Sequence, residues 1–335
     1  GAFNYNFLIA ALATDTLEAG EFIHQIPYIN YLYALIVIAV LIAFRYLIKR
    51  LDLRFYRNQT FLFIALLLMM ASQAPAIFPK QIKSSIEKLY EEYQKLEALR
   101  QESNWGESQL INSNYDNYIL VIGESARKDY HHAYGYPVEN TPFMSNADGI
   151  LIDGLTAGGT STVPSLKAML TFNQAKNWDA DYSHTLIDLA KSAGIKTYWL
   201  SNQGYLGTYD TPISAMAKSA DQTHFLKYGE YNSRNSSDFE LLDELEKIIK
   251  KNPFQKKLII LHLYGSHPNA CDRIEDYHEI IKINDPYYSY LNCYISSIHK
   301  TDNLLQQIYT FMGKEYQEKG ATYSMLYFAD HGHAH

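Results

Sequence analysis

The sequence predicts an α/β domain built on a largely parallel sheet flanked by helices, preceded by transmembrane helices. Three observations predict it. Two long apolar runs stand near the N-terminus; short apolar runs alternate with helical patterns from residue 117 onward; and polar residues gather where those short runs end.

Residues 28–47 read YINYLYALIVIAVLIAFRYL, long enough to cross about 30 Å of hydrocarbon. Residues 60–78, TFLFIALLLMMASQAPAIF, predict a second span that Pro75 and Pro79 close. Between the runs lie Arg45, Lys49, Arg50, Arg54 and Arg57, with Asp52 as the only acid. An excess of basic residues on a short loop marks the cytoplasmic side, so the chain beyond Pro79 is expected outside the cytoplasm. Asp15, Glu18 and Glu21 fit that sidedness. Residues 1–79 therefore read as a membrane domain. The apolar stretch 3–13 is too short to span and no initiating Met precedes it, so this domain is expected to be partial.

From residue 80 to 104, Ile82, Ile86, Leu89, Tyr93, Leu96 and Leu99 recur at three- and four-residue spacing, which predicts an amphipathic connector helix. With the polar linker after it this segment occupies 80–113, and a catalytic domain is expected over 114–335. There, strand-like runs at 117–123, 196–202, 257–265 and 321–330 alternate with helical patterns at 184–194, 238–251 and 292–312. The net charge of -7 and pI near 5.9, without a basic cluster on the expected domain, exclude a nucleic-acid partner. Cys271 and Cys293 both fall on the exported side; a disulfide and a buried Cys293 thiol are both compatible with their spacing.

In parallel sheets, ligands gather beyond the carboxyl ends of the strands. The residues there are Glu124 and Ser125, Asn202 and Gln203, His267, and Asp330, His331 and His333. Two carboxylates and an imidazole arriving from separate strand ends are donors suited to a divalent ion such as zinc, which makes Glu124, Asp330 and His331 a candidate ligand set. Singly, each is ordinarily a turn residue. A metal with three protein ligands leaves a position for a reacting group, and AGGTSTVPSLKAML offers Thr160, Ser161 and Thr162. The helix is expected to start at Val163, with Pro164 tolerated in its first turn and Thr162 at the N-cap. A hydroxyl there meets free helix amides that favour an anion, which suits phosphoryl or sulfuryl transfer.

The segments VIGESARKDYHHAYGYPVENTPFM, GGTSTVPSLKAML, LHLYGSHP, NCYISSIHKTDNLL and YFADHG, in that order, resemble the phosphoethanolamine transferases of Gram-negative envelopes, of the lipid A and lipopolysaccharide-core type, within the alkaline-phosphatase/sulfatase superfamily. ATDTLEAGEF is similar to that family's extracytoplasmic loop between spans. The resemblance implies an alkaline-phosphatase-like fold in the periplasm, tethered to the bacterial inner membrane. It further implies zinc held by Glu124, Thr162, Asp330 and His331, with Thr162 also the residue that carries phosphoethanolamine. His267 matches a position contacting substrate phosphate or a second zinc and, because imidazole titrates near working pH, is the catalytic candidate for assisting the leaving or entering oxygens; Thr14 and Glu18 match positions that bind the lipid donor. Asn202 and Gln203 join them as substrate-binding candidates, whereas His262 reads as a buried structural histidine. The implied donor is phosphatidylethanolamine and the acceptor an envelope glycolipid.

Where the lipid A branch has Ser and Lys after the WLSN strand, this chain has Gly204 and Gly207. The family's last histidine lies beyond Asp-His-Gly, so the C-terminus is expected to be cut short. A lipoteichoic-acid-type glycerophosphate transferase is the rival reading within the superfamily, beside phosphatases and sulfatases, whose Cys/Ser-x-Pro-x-Arg motif is absent.

Overall fold

The computed structural model describes residues 26–52, 58–71, 74–98, 103–173, 180–205, 211–228 and 235–333, with isolated positions before residue 26. The chain divides into two compact units, one reaching to Glu92 and the other running from Tyr93 to His335.

In the first unit, helix α1 (Tyr28–Arg50) has no buried side chain. It is the one helix among the described residues long and apolar enough to cross a membrane. The second apolar run, expected as one span over 60–78, falls instead in helix α2 (Gln59–Ala71) and the start of helix α3 (Ala74–Ala98). Pro79, expected to end a helix, lies inside α3. Because α3 begins at Ala74, the missing N–H forfeits one bond near the helix start and the amphipathic pattern carries the helix on.

The second unit holds a five-stranded sheet from β1 (Asn117–Gly123), β4 (Lys196–Tyr205), β5 (Gln222–Tyr228), β6 (Lys257–His262) and β7 (Tyr323–Ala329), in the order β5-β4-β6-β1-β7. All four pairings are parallel, so the sheet is wholly so. Interior strand β1 explains its apolar run: Ile119, Leu120, Val121 and Ile122 are all buried, because both faces of the strand are covered. On one face, Ile119 and Val121 pack with Leu241, Leu245 and Ile249 of helix α8 (Glu240–Lys251) and with Leu304, Ile308 and Met312 of helix α9 (Ser289–Lys319). The intervening helices are α4 (Pro142–Asn146), α5 (Thr162–Leu170), α6 (Leu186–Ser192) and α7 (Pro212–Lys218).

Three features were not legible in the runs. Strands β2 (Thr171–Asn173) and β3 (Ala180–Thr185) form an antiparallel pair, and β3 takes His184 and Thr185 from the predicted helix. Thr185 caps α6 by accepting from Asp188 N, which sets the helix start two residues later than the periodicity suggests. Strand β5, interrupted by polar residues, is read only by its pairing to β4. Cys271 and Cys293 are joined in a disulfide, with Cα atoms 4.8 Å apart, among Ala126, Ala270, Tyr294 and Ile298. Closing a loop of this length stabilises the fold by about 3 kcal/mol in the chain-entropy account.

Candidate active site

The carboxyl ends of β1 and β7 lie side by side, and the ladder continues one step past them: Asp330 N donates to Gly123 O at 3.0 Å. That places Glu124 beside Asp330 and His331, whose ligand atoms all lie within 4.8 Å of one another. Glu124 and Asp330 are buried and His331 is nearly so. Ser125, at φ 54, turns the chain sharply after Glu124, and its hydroxyl donates to Glu124 Oε1 at 2.5 Å. Backbone strain at such a position persists because the surroundings dictate it. Gly265 packs against the same turn, and a Cβ there would sit 3.0 Å from Glu124 N.

One oxygen of Asp330 is held by two amides, Ser125 N at 3.1 Å and His331 N at 2.7 Å. The other, Oδ2, is buried without a hydrogen bond and lies 3.5 Å from His331 Nε2. His331 Nδ1 lies 2.7 Å from Gly332 O and donates to it, which turns Nε2 toward the carboxylates, 3.2 Å from Glu124 Oε1. Burial and the Glu124 charge push the Asp330 carboxyl up to about 8. Burial opposes charge on His331, but its contact with Glu124 and the Asp330 charge raise it to about 9. Burial likewise opposes ionisation of Glu124, yet the His331 contact holds it well below the usual carboxylate range. Two facing carboxylates with one imidazole are short of positive charge. A divalent cation bound by oxygen and nitrogen donors would supply it and would satisfy the orphaned Oδ2.

Thr162 opens α5 rather than capping it, a correction to the expected N-cap. Ser161 takes that position, because the first turn closes with Ser165 N donating to Ser161 O at 3.1 Å, and it makes no side-chain cap bond. Freed from capping, the Thr162 hydroxyl donates to Glu124 Oε2 at 3.0 Å and lies 3.4 Å from His331 Nε2. Gly159 permits the approach, since a Cβ there would lie 2.7 Å from Pro164 Cβ. Ser165, which the motif reading passed over, ties the helix to the site: its buried hydroxyl donates to Asp330 O. Its signal was the three-residue spacing that puts it on the same helix face as Thr162.

The remaining candidates separate. Gln203 donates from Nε2 to Leu263 O at 2.7 Å and to Glu124 Oε2 at 3.3 Å, which places it in the site. Asn202 is fully buried and gives its amide to Ser236 O at 2.9 Å and Asp238 Oδ1 at 2.8 Å; Asp238 in turn accepts from Tyr264 N and Gly265 N. Its position is architectural, behind the His267 loop. His267 stacks on Tyr264 at 4.7 Å between ring centroids. Burial, with the nearby Arg273 and Lys227 charges, pulls its imidazole down to about 4, which corrects the expectation that it titrates near neutrality. His262 is buried against Trp199, as expected, and burial holds it near 4. Thr14 and Glu18 lie outside the described residues, and His333 lies 3.3 Å from Tyr290 Oη.

The sulfatase family profile matches residues 116–335, the part of the chain that builds this site. A putative phosphoethanolamine transferase of Haemophilus influenzae is 50% identical over 100% of this chain and 70% of that protein. The chain belongs to the phosphoethanolamine transferases of the sulfatase superfamily. Phosphoethanolamine transferase OpgE of Escherichia coli is 32% identical over 99% of this chain and 65% of its own length, so this transferase spans about two thirds of the relatives it matches. Among solved structures, the integral membrane lipooligosaccharide phosphoethanolamine transferase A of Neisseria meningitidis aligns with a TM-score of 0.65 at 19% identity, over 99% of this chain and 67% of that one. The periplasmic domain of EptC from Escherichia coli, solved with zinc, aligns with a TM-score of 0.56 at 24% identity, over 67% and 68%. These likenesses establish the alkaline-phosphatase-like fold of the transferase.

Proposed function

We propose that the transferase moves phosphoethanolamine from phosphatidylethanolamine to an envelope glycolipid, lipid A or lipopolysaccharide core, by way of Thr162. The observation that carries this is the Thr162 hydroxyl, released from capping and held 3.0 Å from Glu124 while a buried oxygen of Asp330 goes unpartnered beside it. Glu124, Thr162, Asp330 and His331 would hold zinc, as the resemblance implies. Bound there, the ion supplies Lewis-acid stabilisation of the phosphoryl charge.

Thr162 Oγ1 attacks phosphorus, forming the phosphothreonine ester and breaking the bond to diacylglycerol, whose oxygen takes up the proton that Thr162 gives up. The free amides at the start of α5 face the anionic phosphoryl group. An acceptor hydroxyl or phosphate oxygen then takes phosphoethanolamine and restores Thr162. In this reading His267, kept neutral by burial, meets the phosphoryl group as a neutral hydrogen-bonding group, and the proton of the entering group passes to the departing Thr162 oxygen. Gln203 positions Glu124. The catalytic unit lies in the periplasm in this reading: a phosphatase reporter fused after Asn104 is expected to be active and one fused at Asn58 inactive.

Peptide mass spectrometry after incubation with phosphatidylethanolamine tests the mechanism. An ethanolamine-phosphate adduct is expected on Thr162, absent in Thr162→Ala and retained in Thr160→Ala and Ser161→Ala. An adduct on either neighbour would overturn the assignment, and a glycerophosphate adduct from phosphatidylglycerol would replace the donor. Mass spectrometry of envelope glycolipids from cells with and without the gene identifies the acceptor.

A further inference from the structure

We infer that the loop formed by residues 149–155 inserts its apolar tip into a zwitterionic phospholipid surface beside the active site, so that the donor is drawn from the bilayer at that point. This rests on the transferase reading above. Ile150 is 92% exposed, and Leu151, Ile152 and Leu155 are 47%, 53% and 62% exposed, four large aliphatic side chains within six residues. Isolated exposed apolar residues are ordinary, but a contiguous set marks a contact surface.

The loop is built, not loose. Asp153 takes the Lys128 ammonium and accepts from Gly154 N at 2.7 Å, and Gly154 makes the turn at φ +80. Tyr134 Oη donates to Ile152 O at 3.1 Å, and the Lys128 ammonium lies 5.3 Å from the Tyr134 ring centre. These bonds fix the backbone of the loop, and the Lys128–Asp153 pair lies exposed beside the aliphatic side chains. Lys128 and Tyr134 lie on the 3-10 turns that follow Glu124, and the chain leaving Leu155 runs into Thr162. The apolar tip is thus bracketed in sequence and by its anchors between the two halves of the site.

Area decides what covers it. A specific protein interface takes about 800 Å² from each partner. Four partly buried aliphatic side chains supply only a part of that, and they lack the aromatic and arginine anchors that concentrate binding energy. A lipid surface asks for no complementary shape, only apolar groups and a tether, and α1 is long and apolar enough to be that tether. Because the exposed Lys128 and Asp153 neutralise each other beside the tip, the contact should depend little on anionic lipid.

The test uses the full chain in nanodiscs of phosphatidylethanolamine and phosphatidylcholine, with a nitroxide on Ile150→Cys or Leu155→Cys; the two native cysteines are joined to each other. Both labels should be more accessible to oxygen than to a water-soluble nickel chelate, while a label on Lys247→Cys, on the exposed face of α8, stays aqueous. Labels at 150 and 155 as aqueous as that at 247 would overturn the inference, as would label-to-label coupling between two copies. In turnover, the double variant Ile150→Asp, Leu155→Asp should raise KM for bilayer lipid about tenfold with kcat kept, and leave KM for dispersed short-chain lipid unchanged. An unchanged KM for bilayer lipid would also overturn it. The labels read lipid without turnover, so a missing Thr162 adduct with lipid-like labels would sink the transferase reading and leave the membrane contact standing.

Discussion

The two ends of the parallel sheet bury charge on opposite terms. At the amino end, the fully buried Lys257 donates to Asn117 Oδ1 at 3.2 Å, to Gln255 O at 3.1 Å and to Asn252 O. Asn117, equally buried, gives its amide to Pro253 O and Thr322 O, and Asp116 accepts from Thr322 N, Thr322 Oγ1 and Lys256. At the carboxyl end, Glu124, Asp330 and His331 confront one another, and Asp330 Oδ2 has no hydrogen bond. Buried polar groups that are satisfied hold strands in register; buried charges left short of a partner mark where a ligand belongs. The same sheet thus satisfies its buried charge at one end and leaves it short of a partner at the candidate site.

The largest effect that would break this contrast concerns the metal. Glu124→Ala, Asp330→Ala and His331→Ala should each weaken zinc binding by at least about a hundredfold, with helix content unchanged. Chelator competition and far-ultraviolet circular dichroism check this; undiminished zinc affinity in all three would dissolve the distinction between the ends. A sharper form uses Asp330→Asn. Without metal it should not destabilise the protein, because it removes one of two facing carboxylates; zinc should raise the thermal midpoint of the wild type and not of the variant.

The amino end should answer differently. Lys257→Met leaves buried carbonyls unpaired and should cost about 1–3 kcal/mol in urea unfolding with zinc affinity intact. The smallest effect is its pH dependence. Burial lowers Lys257 to about 8, against about 10.4 for a free lysine. Between those values the unfolded chain binds the proton more than the folded one, so this residue adds stability as pH rises through the window and loses it as pH falls toward 8. Wild type should therefore gain on Lys257→Met between about pH 8 and pH 10, measured by unfolding at several pH values. A constant difference would mean that the ammonium is not penalised by burial.

Legibility followed the range of the interactions. The runs at β1, β4, β6 and β7 were visible because each holds a cluster of apolar residues that the parallel sheet packs against its neighbours, and Glu124, Asp330 and His331 were visible because they stand at the ends of such runs. Strand β5 was not: its residues Gln222, His224 and Lys227 break the apolar pattern, and only the ladder to β4 makes it a strand. Asn202 and Gln203 look alike as neighbours after an apolar run, yet one is locked behind the His267 loop and the other reaches Glu124, because successive strand residues point to opposite faces.

By itself the sequence determined the long apolar segment that became α1, the alternation of strands and helices, the membership in the phosphoethanolamine transferases, and the three residues at strand ends that make the candidate ligand set. Only the tertiary structure decided the strand order β5-β4-β6-β1-β7, the pairing of Cys271 with Cys293, the place of Thr162 beside Glu124 rather than on its own helix cap, and the low basicity of His267. Periodicity along a chain records which face of an element is buried. It does not record which distant element covers that face, and distance and desolvation, which set both the Thr162 contact and the His267 charge, exist only once the chain has closed on itself.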